Sequence, residues 1–167
     1  GGGKTTLMSL IFSCFETEQN KFLKHLQEAN NRFSQYFDQA GIPGFIVVEW
    51  VLPSRTAKGK PIRLVVGQAV SVRATVEPAD VDRIFFSFQE QADLRLENLP
   101  APRLGPTPSA SLAEVSRWLQ EQKAKNPDVF FVKNQTEWKK HLQVDRLIDL
   151  EMLQMQVGFS AQEGGFD

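Results

Sequence analysis

The chain has 167 residues, 41% of them hydrophobic and 23% charged, which is the ordinary composition of one globular domain with a core. Its 19 lysines and arginines are balanced by 20 aspartates and glutamates, which excludes a net basic field, so DNA binding would need a local patch or another part of the molecule. No apolar run approaches the roughly 20 residues of a membrane span and no signal peptide is visible, so we expect no membrane partner.

The first six residues, Gly1 to Thr6, have the pattern of the second half of a nucleotide phosphate-binding loop. Glycine allows the dihedral angles with which backbone N–H groups surround a phosphate. Lys4 would contact the β and γ phosphates, and the Thr5 hydroxyl would bind Mg²⁺ at the positive end of the following helix. We therefore predict ATP and Mg²⁺ as cofactors, Thr5 as the metal ligand, and a nucleotide-binding set of Gly1, Gly2, Gly3, Lys4, Thr5 and Thr6.

The alternative interpretation of this stretch is a glycine linker followed by a chance Gly-Lys-Thr. Apolar residues directly behind it favour the loop, because they recur at the spacing of one helix face: Leu7, Leu10, Ile11, Cys14 and Phe15. The first glycine of a complete loop would precede Gly1, so we expect a fragment of a longer protein. Cys14 cannot form an internal disulfide, which suits a reducing cytosol and predicts a cytoplasmic protein.

The first helix is expected to end near Glu16, and a second one ends at Gly41, where Gly41-Ile42-Pro43-Gly44 cannot continue it. The second helix is indicated by apolar residues at steps of three and four: Phe22, Leu26, Ala29, Phe33 and Phe37.

Four segments in the next part of the chain have the composition of β-strands. Residues 45–52 are apolar on both faces apart from Glu49, and residues 62–67 run back after a polar loop with a turn glycine. Residues 69–76 alternate like a half-buried strand, and residues 84–88 are rich in phenylalanine. Consecutive strands with short connections predict an antiparallel meander, unlike the alternating order of a doubly wound domain.

From Gln89 to Ala110 the chain has few apolar residues, and we predict a mobile surface connection there. It carries four closely spaced prolines: Pro100, Pro102, Pro106 and Pro108.

The last part of the chain is predicted to be mainly helical. Ser111 with Glu114 predicts a capping box, and Asn126-Pro127 ends the helix that follows. The inward residues of this helix would be Leu112, Val115, Trp118 and Leu119. A short strand covers residues 129–132, and Asn134 with Glu137 caps a helix that carries Trp138, Leu142 and His141. A final helix is expected from about Leu147 to Val157.

Several of these features together resemble the N-terminal head segment of SMC-like ATPases of the MukB and Wadjet type. They are the loop Gly1 to Thr6 with its helix, the 45–52 strand with its Glu49-Trp50 pair, the return strand ending at Val66-Gly67, and the Glu163-Gly164-Gly165 ending. The resemblance implies an α/β fold with α+β character: a partial P-loop ABC-type ATPase head with an antiparallel β meander and flanking helices. It also implies a chromosome-maintenance or DNA-defence protein in which two heads sandwich ATP and engage on DNA.

The resemblance divides the chain into parts of a single partial head domain, residues 1–167. These are the phosphate loop and helices (1–41), the β meander (44–89), the Pro-rich connection (90–110) and the helical part (111–167). The implied partners are the C-terminal half of the same head, a second head in a homodimer, and DNA. Gln156 and Gln162 are candidates for the glutamine that senses Mg²⁺ in this family.

The sequence lacks the remaining catalytic motifs of such a head. It has no apolar strand ending in Asp-Glu, no Ser-Gly-Gly signature and no heptad pattern. We therefore assign no catalytic residue and expect the chain alone to bind nucleotide weakly and not to hydrolyse it.

Two other classes of function remain open. One is a RecF-like or DndD-like repair ATPase, which shares the loop and an antiparallel subdomain. The other is a non-catalytic interaction module with an N-terminal glycine linker. Glu16 with Glu18, and His25 or His141 with scattered serines, show no catalytic spacing, and solvated helix faces explain them better.

Overall fold

The computed structural model describes residues 42–54, 56, 58–73, 80–101 and 111–148. The predicted phosphate loop, the first two helices and the segment 149–167 lie outside the described residues. The described elements are, in chain order, strands β1 (Gly44–Leu52), β2 (Ile62–Arg73) and β3 (Asp80–Gln89), a 3-10 turn (Leu96–Asn98), helix α1 (Leu112–Lys125), strand β4 (Phe130–Val132), helix α2 (Gln135–Lys140) and a π-helical turn (His141–Asp145).

The four strands form one antiparallel sheet in the order β1-β2-β3-β4, so each strand pairs with the next along the chain. The predicted meander and the α+β character are confirmed. The separation of residues 62–67 from residues 69–76 is wrong, because β2 is one strand that runs through Gly67. Gly67 pairs with Val47 on one side and Phe86 on the other. Its place in a central strand therefore overrides the weak strand preference of glycine.

The first face of the sheet carries Leu64, Val66 and Phe85. These side chains form one buried cluster with Trp138 of α2 and Leu142 of the π turn. The rings of Phe85 and Trp138 stack with centroids 5.3 Å apart. The side chains of Trp138 and Leu142 are buried because α2 and the π turn lie over this face.

The second face carries Val65 and Phe86 and packs against Val115 and Leu119 of α1. The Ser111 Oγ accepts a hydrogen bond from the Glu114 N–H, so α1 begins at the predicted cap. Helices therefore cover both faces, which explains why residues 64–66 and 84–86 are apolar in succession rather than alternating. Each fully buried aliphatic or aromatic side chain contributes about 1.5–3 kcal/mol to stability.

The prediction of a mobile surface connection from Gln89 onward is wrong for its first half. Leu94, Leu99 and Ala101 are all buried and belong to the cluster on the second face. The segment is anchored by a backbone hydrogen bond from Leu96 N–H to the Glu90 carboxylate, at 2.9 Å. Its apolar residues fill gaps beneath α1 at irregular intervals, so they left no periodic signal in the sequence. Residues 102–110 lie outside the described part of the chain.

The end of the described chain also departs from expectation. Leu147 has a φ of 57°, so the predicted helix from about Leu147 does not begin there. Such a left-handed conformation costs a non-glycine residue roughly 1–2 kcal/mol. It reverses the backbone so that Ile148 N–H donates to Leu142 C=O at 2.8 Å, and Ile148 packs against the first face.

We expect Gly67→Ala to lower the free energy of unfolding by about 1–3 kcal/mol, because its Cβ would overpack the centre of the sheet. The Cβ would lie 2.8 Å from the Ile46 carbonyl oxygen and 3.0 Å from the Phe86 ring, and the carbonyl can move only with β1 itself. Urea unfolding followed by circular dichroism measures the change. Ser71→Ala on the same strand is the control, with an expected change below about 0.5 kcal/mol. An equal midpoint for Gly67→Ala and wild type would contradict this account.

Candidate functional site

The nucleotide-binding residues predicted from the sequence, Gly1 to Thr6, lie outside the described residues, as do Gln156 and Gln162. Among the described residues, the most extensive cluster of functional groups lies under the π turn, on the first face of the sheet.

This cluster, here called the His141 network, consists of Ser87, Asp128, His141, Asp145 and Arg146. Ser87 Oγ and His141 Nε2 are 2.5 Å apart, and His141 Nδ1 is 2.8 Å from Asp145 Oδ2. Arg146 Nε donates to Ser87 Oγ at 3.0 Å. The network therefore joins β3 to the π turn and to the residue that follows it.

A second set of bonds joins Arg146 to the turn before β4. Its guanidinium donates to Asp128 Oδ1 at 3.0 Å, to Asp128 Oδ2 at 3.3 Å and to the Asp128 C=O at 3.1 Å. Asp128 Oδ2 also accepts from the Gln89 N–H at 2.6 Å, where β3 ends. This geometry needs the planar fork of arginine, because the ammonium of lysine cannot make parallel bonds to both carboxylate oxygens.

Local sequence explains how each group reaches the network. Asn126 Oδ1 accepts from the Asp128 N–H at 3.2 Å, which turns the chain between α1 and β4. Asn134 caps α2 through the Glu137 N–H, as predicted, and so fixes the start of the helix that leads to His141. The His141 ring lies flat on Phe130, with centroids 3.7 Å apart.

The hydrogen-bond partners define one consistent set of protons. Asp145 is a carboxylate, so His141 Nδ1 carries a proton and donates it. His141 Nε2 is then an acceptor for the Ser87 hydroxyl, whose oxygen is left to accept from Arg146. Neutral His141 satisfies every member of this chain.

The pKa of His141 is lowered from its ordinary value of 6.5, first of all by burial, and also by the charge of Arg146. The hydrogen bond to Asp145 and the charges of Asp145 and Asp128 act in the opposite direction but do not compensate. Only 5% of His141 is exposed, so a charged imidazolium would lose most of its hydration.

A serine hydrogen-bonded to a histidine that is bonded to an aspartate is the arrangement of a hydrolytic triad. Ser87, however, has no exposed surface, and its oxygen already accepts from Arg146. A substrate carbonyl cannot approach such a hydroxyl, so the network is structural. The sequence-based interpretation of His141 as part of a solvated helix face is nevertheless wrong, because His141 is buried and bonded at both nitrogens. No sequence signal identified Ser87 as its partner, since 54 positions separate the two residues.

In the part of the chain that the structure describes, no group of three or more histidine, cysteine, aspartate and glutamate side chains can hold a metal ion. No described helix is long and apolar enough to cross a membrane. No protein-family model, no curated protein and no solved structure matches this chain.

We expect stability to fall as the pH is lowered below about 6.5, the unfolded-state pKa of histidine. Because the folded pKa of His141 is lower, the unfolded state binds more protons in this window, and the free energy of unfolding rises with pH through it. The stability that depends on neutral His141 is fully present above about pH 6.5. A proton NMR titration of the two histidines, His25 and His141, should place the His141 midpoint below 6.5. In the variant His25→Gln the remaining histidine signal is that of His141. A His141 midpoint above pH 6.5 would contradict the neutral network.

We expect Arg146→Lys to lower the free energy of unfolding by about 1–3 kcal/mol, because it removes the fork on Asp128 and the donor to Ser87. The side chain of Asp128 is one-third exposed, so water replaces part of the loss. A double-mutant cycle with Asp128→Asn, followed by urea unfolding, isolates the coupling. Arg117→Lys on the exposed face of α1 is the control. A coupling near zero would show that the pair contributes nothing.

Proposed function

We propose that this chain is the ATP-binding N-terminal part of an SMC-like, cytoplasmic ATPase head that engages a second head on DNA. The observation that carries the proposal is the run Gly1 to Thr6 leading directly, and in helical phase, into an apolar helix pattern. A linker would not be expected to lie in phase with a predicted amphipathic helix.

The donor set of this run fits a Mg²⁺-bound triphosphate. It offers successive backbone N–H groups at glycines, the Lys4 ammonium for phosphate oxygens and the Thr5 hydroxyl as a hard oxygen ligand. The described antiparallel sheet supports the proposal in a weaker way. It agrees with the meander that the resemblance implies after the loop and helices, and it differs from the parallel sheet of a dinucleotide-binding domain.

In this proposal the chain supplies half of a composite site. Lys4 and Thr5 hold the phosphates and the metal ion, and the general base and signature motif come from the C-terminal half of the head and from the second head. Hydrolysis then requires assembly, because no catalytic carboxylate motif follows a strand in this sequence. The proposal predicts nucleotide binding, but no turnover, for the chain alone.

Lys4→Ala tests the proposal in the intact protein. Removing the ammonium should reduce ATP turnover by roughly 100-fold or more, as expected when a charge-stabilising donor is lost. The matched control is Lys24→Ala, which removes the same charge from the polar face of the predicted second helix. Turnover and ATP-dependent dimerisation are measured for both variants. Undiminished turnover in Lys4→Ala would refute the proposal and favour the interaction module with a glycine linker.

The sequence of the parent chain and the effect of DNA on its ATPase rate distinguish the SMC-like head from the repair-ATPase alternative. A parent chain with a long heptad repeat and a rate stimulated by DNA supports the SMC-like head. A parent without a coiled coil supports a RecF-like or DndD-like repair ATPase.

A further inference from the structure

The hairpin formed by β1 and β2 extends past the rest of the sheet. The pairing of β2 with β3 ends at Leu64 and Gln89, with one further hydrogen bond from Glu90 N–H to Arg63 C=O. The pairing of β1 with β2 continues to Leu52 and Ile62. The two strand ends and the loop between them therefore project as a two-stranded arm, and Leu52, the last residue of β1, is 37% exposed.

The charge of this arm differs from that of the chain as a whole, which has a net charge of −1. No acidic residue occurs in the sequence between Glu49 and Glu77. The basic residues of the arm and its loop are Arg55, Lys58, Lys60 and Arg63, while Arg73 lies at the opposite end of β2. Charges of one sign on a projecting element add up to a local field that the balanced remainder of the protein does not cancel at short range.

The described lysines of the arm are available for a ligand. Lys58 and Lys60 are both exposed, and among the residues that the structure describes neither forms an ion pair. Arg63 is different, because its guanidinium contacts Glu49 Oε1 at 2.6 Å and so pairs with a carboxylate at the base of the arm. Because Glu49 pairs with Arg63, it does not compensate the charges of Lys58 and Lys60 at the tip.

Two hydrogen bonds join described residues near the tip. Gly59 N–H donates to Thr56 C=O at 3.1 Å, and Thr56 N–H donates to Ser54 Oγ at 3.1 Å. A Cβ on Gly59 would lie 2.1 Å from Ser54 Oγ, so a larger residue there would displace the Ser54 side chain.

We propose that this basic arm binds the phosphate backbone of duplex DNA through Lys58 and Lys60. A two-stranded β-ribbon has the dimensions of the DNA major groove. Ammonium groups on flexible stems act as point charges on phosphates and read no sequence, so the binding is non-specific. The choice of DNA as the polyanion rests on the proposed function, whereas the charge and shape of the arm do not.

The test is the binding of the 167-residue chain to a fluorescein-labelled duplex of about 30 base pairs, measured by anisotropy between about 50 and 200 mM salt. The variant Lys58→Gln/Lys60→Gln should bind at least about 10-fold more weakly, and its slope of log K against log salt should be smaller by about 2. The control Lys139→Gln/Lys140→Gln removes the same charge from exposed positions on α2 and should bind within about 2-fold of wild type. Circular dichroism checks that both variants fold.

Equal loss of affinity in both double variants would overturn the proposal, and so would wild-type affinity in the arm variant. Binding to vesicles of phosphatidylserine or to polyglutamate, without binding to DNA, would also overturn it and assign the arm to a membrane surface or an acidic protein. The assay contains no ATP. It is repeated with the variant Lys4→Ala, which should bind DNA as tightly as wild type does. Failure of the arm and failure of the ATP-binding proposal are therefore distinguishable.

Discussion

The central strands β2 and β3 are buried on both faces, and most of the described architecture follows from that requirement. Val65, Val66, Phe85 and Phe86 have no exposed surface, although neighbouring residues point to opposite faces. Two separate layers must therefore cover the sheet. Strand β4 makes this possible, because α1 packs on the second face before it and α2 packs on the first face after it. The short edge strand carries the chain from one layer to the other.

Burial on both faces also removes the Ser87 hydroxyl from water, because Ser87 lies on β3 among apolar neighbours. A buried hydroxyl without partners costs free energy comparable to a lost hydrogen bond. The Ser87 hydroxyl donates to His141 and its oxygen accepts from Arg146, so the hydroxyl is fully hydrogen-bonded. The π turn contributes by placing His141 and Asp145 on one side, so that the imidazole is bonded at both nitrogens while it lies flat on Phe130. The left-handed residue Leu147 then follows directly. Its strain is tolerated because Arg146 before it and Ile148 after it are both anchored on the sheet.

The sequence allowed most of this fold to be predicted wherever the signal was local. Caps at Ser111 and Asn134, the ends at Asn126 and Leu52, and the antiparallel order of the strands all depend on neighbouring residues. The errors have a common cause in long-range contacts. Gly67 reads as a strand break unless one knows that strands flank it on both sides.

Residues 94–101 read as a surface connection unless one knows that α1 lies above them. The same holds for the His141 network. Its members are ordinary polar residues in the sequence, and only the fold brings Ser87 and Asp128 to the same imidazole and guanidinium. The candidate nucleotide site is the opposite case, because its whole signal is a contiguous run of six residues. Sequence is sufficient to propose it, and the six residues lie outside the described part of the chain.

A balanced total charge describes the chain poorly, because its charges are unevenly distributed along the fold. A net charge of −1 predicts no long-range attraction to a polyanion. Screening at physiological salt, however, limits each charge to a range of about 8 Å, so an approaching phosphate responds to the nearest groups and not to the total. At the tip of the hairpin those groups are Lys58 and Lys60, while the nearest carboxylate on β1, Glu49, is paired with Arg63. In the sequence, every acidic residue lies at or before Glu49 or at or after Glu77. Total charge therefore excludes a net basic field and leaves a local one intact, and topology decides whether the local charges reach solvent together.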